Sequence, residues 1–211
     1  VLRETRAPGE DGYVTAEDVK FSVLDTGEIQ KVSMKDDHTR TSLTKVDTDS
    51  KPVAGALMQI VTVKADGTPN YDDVKYEWTT GDEPHVIEYI PTGKYFLVEV
   101  KAPEGYVKAK PVQFEIKDTA EVQAVELVEK QVSFSKTDVT GQKELPGAEM
   151  EVVDETGNIV DKWTSNTEEH MISGLEEGKE YTLREITAPD GYVVAEEIKF
   201  TVTTDKKDQH I

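Results

Sequence analysis

Two lysines fall where strand alternation turns them toward a core. In VSFSK, Val132, Phe134 and Lys136 share one face, and in TSLTK, Leu43 and Lys45 do the same, because successive side chains of a strand point to opposite sides. The same count groups Tyr95, Leu97 and Glu99 in YFLVE, Tyr181, Leu183 and Glu185 in YTLRE, and Val32, Met34 and Asp36 in KVSMKD. A lone buried charge is costly, so amines and carboxylates aimed at one core need a shared explanation. Two stay open on the residues alone. One is a structural ion pair at a strand end, its charged tips reaching back to water. The other is a condensation in which the lysine amine attacks a side-chain carbonyl on the last strand while a glutamate moves protons. A dry pocket favours a neutral amine beside a protonated acid, and such an acid can polarise the carbonyl under attack. This reaction would run once per domain, as maturation, so the chain is not expected to be an enzyme with turnover.

The elements that position these residues recur with them. LRETRAPGEDGY (residues 2–13), LVEVKAPEGY (97–106) and LREITAPDGY (183–192) share Leu, Glu, Ala-Pro and Gly-Tyr. TSLTKVD (41–47) leads to Gly55 and Ala56, and VSFSKTD (132–138) leads to Gly147 and Ala148. Trp78 and His85 recur at equal separation as Trp163 and His170. The spacing divides the chain into the C-terminal part of one repeat (1–40), a complete repeat (41–131) and a third repeat lacking its last strand (132–211). Short runs rich in Val, Ile, Thr and Tyr, bounded by turn signals such as Ala-Asp-Gly-Thr and Glu-Thr-Gly-Asn, predict strands. No stretch sustains a helical period. The fold class expected is all-β, as tandem antiparallel β-sandwiches touching end to end.

Composition narrows the partners. The 43 acidic residues outnumber the 24 basic ones for a net charge of −19, which disfavours nucleic acid and anionic lipid. Without cysteine, neither disulfides nor thiolate metal sites can reinforce the domains. No apolar run reaches the length of a membrane span, and the sequence reads as an internal piece of a longer exported protein. His85 and His170 each lack a second histidine nearby, and the acidic clusters lack the spacing of a calcium loop. No cofactor or metal is expected. Trp78 and Trp163 read as core or edge packing.

In combination, SKTD with Lys136, LPGA (145–148), GKEYTLREITAPDGY (178–192) and FTV (200–202) give the chain a resemblance over essentially its whole length. It resembles the Cna protein B-type domains, repeat modules of Gram-positive adhesins, pilins and wall-anchored stalks. The resemblance implies a prealbumin-like or reversed immunoglobulin-like sandwich, extracellular and cell-wall associated. It also implies an autocatalytic Lys to Asn or Asp isopeptide bond, promoted by the glutamate of the Leu-x-Glu phrase. Carried over by position, the amine donors are Lys45 and Lys136, the promoting glutamates are Glu4, Glu99 and Glu185, and the matching acceptor is Asp36. Counting from Val122 and Gln123 as from Ile29 and Gln30 places Glu129 at the acceptor position of the middle repeat. It is one methylene longer, so its carbonyl is expected to sit displaced from Lys45, leaving an ionic cluster of Lys45, Glu99 and Glu129. The first repeat holds Glu4 and Asp36 with its lysine upstream of residue 1. The third holds Lys136 and Glu185, and its sequence ends at His210 and Ile211, just before the acceptor strand. The function implied is a stalk or spacer whose partners are neighbouring repeats. The alternative is an adhesive module for a host matrix protein or glycan, centred on the longer segment around residues 70–77.

Overall fold

A computed structural model describes residues 1–8, 11–141 and 143–211. Among the described residues every regular element is a strand. A first segment contributes β1 (Tyr13–Val14) and β2 (Asp37–His38), paired antiparallel. The next unit holds β3 (Arg40–Val46), β4 (Leu57–Val63), β5 (Pro69–Thr79), β6 (His85–Glu88), β7 (Gly93–Lys101), β8 (Val112–Ile116) and β9 (Val122–Val128). The last holds β10 (Val132–Phe134), β11 (Glu149–Asp154), β12 (Ile159–Thr164), β13 (His170–Met171), β14 (Glu180–Thr187), β15 (Ile198–Thr201) and β16 (Gln209–His210).

Each unit is a two-sheet sandwich. In the middle unit, a three-stranded sheet in the order β6-β3-β9 faces a four-stranded sheet in the order β5-β4-β7-β8, and the last unit repeats this as β13-β10-β16 and β12-β11-β14-β15. Alternation builds the cores: Leu43, Met58, Ile60, Ile87, Leu97 and Leu127 pack in the middle unit, and Phe134, Met150, Val152, Ile172, Leu183 and Phe200 in the last. Burying such side chains stabilises a fold by about 1.5–3 kcal/mol each. The hairpin loops use Asp-based turns. The Asp154 carboxylate accepts the hydroxyl and backbone N–H of Thr156 and both the side-chain amide and backbone N–H of Asn158. Those bonds to the ionised form hold it at about 2.

Four details differ from the sequence expectation. Strand pairing is antiparallel throughout except at β3·β9 and β10·β16, where the first and last strands of a unit run parallel. The last strand of the third repeat, expected to be missing, is begun. Gln209 and His210 lie opposite Val132 and Ser133, and Ile211 continues the ladder through bonds with Ser133 and Ser135. Gln209 seats it by accepting the Thr203 N–H at 3.0 Å, as Gln123 accepts that of Lys117 at 2.8 Å in the middle unit. Asp36, expected to point inward with Val32 and Met34, is exposed, and Val32 is 39% exposed. Among the described residues no strand lies against residues 20–36, so alternation there meets no core to turn toward. The middle unit also begins slightly before residue 41, since Arg40 already pairs with Glu88 and Val122.

Candidate functional site

Three charged side chains meet inside the middle unit. Lys45 projects from β3 and Glu99 from β7 on the facing sheet, while Glu129 stands one residue past β9, where its N–H donates to the Val46 carbonyl at 2.7 Å. Lys45 Nζ lies 2.9 Å from Glu99 Oε1 and 2.9 Å from Glu129 Oε2, with all three side chains almost fully buried. These are ion-pair separations, but their angles fall outside hydrogen-bond geometry. Lys45 Nζ, Glu99 Oε1 and both Glu129 oxygens are therefore buried without a hydrogen bond. The extra methylene of Glu129 is accommodated, and its carboxylate reaches the amine as closely as Glu99 does.

A backbone irregularity aims the glutamate. Met58 pairs with Glu99 and Leu57 with Lys101, so β7 carries one extra residue beside Glu99. β14 does the same beside Glu185, where Met150 pairs with Glu185 and Glu149 with Thr187. Such bulges re-aim neighbouring side chains. The other oxygen of each glutamate is fixed by a backbone amide further along: Glu4 Oε2 accepts the Ala16 N–H at 2.7 Å, Glu99 Oε2 that of Ala109 at 2.7 Å, and Glu185 Oε2 that of Ala195 at 2.6 Å. Sequence reasoning missed these anchors. Their signal was present, since Gly-Tyr is followed by VTA, VKA and VVA in the three copies.

Two carboxylates share one cation in a dry space. Burial, reinforced by the Glu99 charge and opposed by that of Lys45, pushes Glu129 up from 4.5 to about 8. That shift favours the protonated form of the carboxyl beside the amine. Amine, protonated carboxyl and anchored carboxylate form the set needed for condensation. The last unit has part of it. Lys136 Nζ lies 3.4 Å from Glu185 Oε1, with the lysine side chain 17% exposed, its one ion pair among the described residues. In the first segment, Glu4 is held by Ala16 and makes no ion pair among the described residues.

A second buried lysine escaped the sequence reading. Lys130, 2% exposed, donates from Nζ to the Thr203 carbonyl and, at 2.7 Å, to Thr203 Oγ1. Burial pushes its ammonium down from the usual range. His85 and His170 stack on Trp78 and Trp163 at 4.6 and 4.2 Å, and both tryptophans pack against their unit's core.

The profile of the SpaA prealbumin-like fold domain matches residues 39–131 and again residues 130–211. The chain belongs to this family. Its two SpaA matches cover both sandwiches, in line with the resemblance read from the repeated phrases. Solved structures similar to these SpaA units include the Bacillus anthracis TIE protein, at 23% identity and TM-score 0.36 over 87% of this chain and 36% of that one. The Streptococcal ancillary pilin matches at 22% identity and TM-score 0.43 over 94% and 69%. GBS52, the minor pilin of Streptococcus agalactiae, matches at 17% and 0.41 over 82% and 93%. The chain thus spans 36% of the length of the first of these. No curated protein sequence matches it.

Proposed function

We propose that the chain is a stalk segment of an extracellular, cell-wall-associated surface protein of the pilin or adhesin type, with repeats at 1–40, 41–131 and 132–211. In this reading its middle repeat closes an isopeptide bond between Lys45 and Glu129. The observation that carries the reading is the buried Lys45, Glu99 and Glu129 cluster, which ties the first strand to the end of the last in a unit with no cysteine. The Lys45 ammonium gives one proton to Glu99. The freed amine attacks Cδ of the protonated Glu129, a C–N bond forms, and the Glu129 hydroxyl leaves as water with a second proton from the nitrogen. Glu99 ends protonated, so atoms and charge balance. Approach at contact distance is what such a step requires, and a closed loop resists unfolding and proteases. Glu4 with Asp36, and Lys136 with Glu185, are the corresponding partial sets of the flanking repeats.

Intact mass with peptide mapping around Lys45 and Glu129 tests this. A deficit of one water mapped to that pair is expected, and abolished by Glu99→Ala. An unshifted mass refutes the covalent step and leaves an ionic clamp. A second reading, an adhesive module, has one observation in its favour: β5 is an edge strand on which Tyr71 is 55% and Val74 40% exposed. Saturable binding of the chain to a host matrix protein or glycan would replace the stalk reading with that one.

A further inference from the structure

Glu129 and Lys130 are consecutive residues whose side chains enter different units. The Glu129 carboxylate joins the buried cluster of the middle unit, 2.9 Å from Lys45 Nζ. The Lys130 side chain, 2% exposed, runs the other way. Its ammonium donates to the Thr203 carbonyl, to Thr203 Oγ1 at 2.7 Å and to the Asp205 carbonyl at 3.4 Å, all in the last unit. The hold continues one residue on, where the Gln131 N–H donates to Asp208 Oδ1 at 2.8 Å. Asp208 also accepts from Thr48 Oγ1 at 3.0 Å, which ties the loop after β3 to the same point.

The second carboxylate is gripped in a similar way. Glu99 Oε2 accepts the Ala109 N–H, and both neighbours of Ala109 are bonded to the last unit. The Lys108 N–H donates to the Leu175 carbonyl at 2.9 Å, the Lys108 carbonyl accepts the Glu177 N–H at 3.3 Å, and the Lys110 N–H donates to Glu177 Oε2 at 3.3 Å. The last unit's own pair has the same anchor without such cover. Ala195 holds Glu185, but its neighbours Val194 and Glu196 are exposed, and there 17% of the Lys136 side chain is exposed against 2% for Lys45.

We propose that Lys130 is a positioning residue for the condensation of Lys45 with Glu129, and that the last unit, gripping it at residues 203–205, completes the reaction site of the unit before it. Lys130 touches none of the reacting atoms and acts through the backbone. Glu129 stands past the end of β9, tied to β3 by its N–H on the Val46 carbonyl, and fixing Lys130 on its other side sets where its Cδ lies. A displacement of about 1 Å costs such a step roughly 100-fold. The inference rests on the covalent reading of the middle unit and adds an order of events: the last unit docks first, and the bond closes after it.

Intact mass is followed over time on freshly synthesised 211-residue chain. Lys130→Met keeps the aliphatic stem, loses the bonds to residues 203 and 205, and should slow the loss of one water at least about tenfold. Thr203→Val, a change confined to the last unit, should slow it in the same direction. A second readout needs no bond. In a Lys45→Met background, which cannot condense, the carboxyl carbon NMR resonance of Glu129 reports its titration. Removing the Lys130 cation by itself moves that titration up, whereas loosening the site admits water and should bring it down by about one pH unit or more. Amide protection at Ile60 and Met150 checks that both units are folded, and where Lys130→Met is not, Thr203→Val carries both measurements. Loss of water at the unaltered rate, or a titration that stays or climbs, overturns the proposal. A parent chain that keeps its full mass refutes the covalent reading alone, and the titration then decides whether Lys130 sets the Glu129 carboxylate.

Discussion

Replacing Lys45 with methionine turns the buried cluster into a pH-dependent defect whose sign and size follow from the structure. The variant has no amine, so no covalent closure can mask the electrostatics. It leaves Glu99 and Glu129 almost fully buried without their cation, and removing one partner of a buried pair costs about 3–5 kcal/mol when the remaining group is charged. Glu129 already titrates at about 8 instead of 4.5, from burial first, and losing Lys45 moves it further up. A raised native value means that the folded unit keeps a proton the unfolded chain has released. Its stabilisation is full below pH 4.5 and is lost as pH climbs through 8. At ~1.4 kcal/mol per unit, the span from 4.5 to about 8 comes to roughly 5 kcal/mol with Lys45 in place, and the variant's wider span carries the loss to higher pH. Urea unfolding followed by Trp78 fluorescence, in a Trp163→Phe background, should show the Lys45→Met midpoint falling steadily from pH 5 to pH 9. Adding Glu129→Gln should flatten that slope. A variant whose stability is flat or rises over this range, or a double variant with the same slope, refutes the assignment of a dry, shared carboxylate site.

The other expectations concern the joint and the anchors. Gly12 has φ +77°, and an added Cβ would lie 2.3 Å from the Tyr89 carbonyl carbon. Gly12→Ala should therefore cost at least about 1 kcal/mol and open the joint between the first segment and the middle unit, read as faster exchange of the Thr39 amide. Glu185→Ala removes both the Ala195 anchor and the partner of Lys136, and should destabilise the last unit by about 1–3 kcal/mol. Glu185→Gln, which keeps an acceptor for Ala195, should lose less, and Trp163 fluorescence in urea separates the two.

Alternation was enough to find Lys45, Glu99 and Glu185, because each lies on a strand whose neighbours at two-residue spacing are Leu43, Leu97 and Leu183. The repeat supplied Glu129, at the same distance from Gln123 as Asp36 from Gln30. What stayed hidden depends on a second unit being present. Lys130 reads as a polar strand end in VEKQ, and its ammonium finds its hydrogen bonds in the loop at residues 203–205. Val107 reads as part of a turn phrase, and only the last unit's core covers it. The bulges beside Glu99 and Glu185 also left no mark in the alternation, since the extra residue follows the glutamate instead of preceding it.

The parallel pairing of β3 with β9 has a mechanical meaning. Arg40 lies opposite Val122, and Val46 opposite Val128, so the polypeptide comes in at one end of the pair and goes out at the other. Tension on the chain then slides the two strands along each other, loading their rungs together, whereas an antiparallel hairpin pulled from its ends peels one bond at a time. Lys45 and Glu129 sit at the exit end of that pair. A link between them would make a shortcut for the load: tension would run along β3, cross at Lys45 and leave at Glu129, and the hairpins between Val46 and Val128 would hang slack beside the taut line.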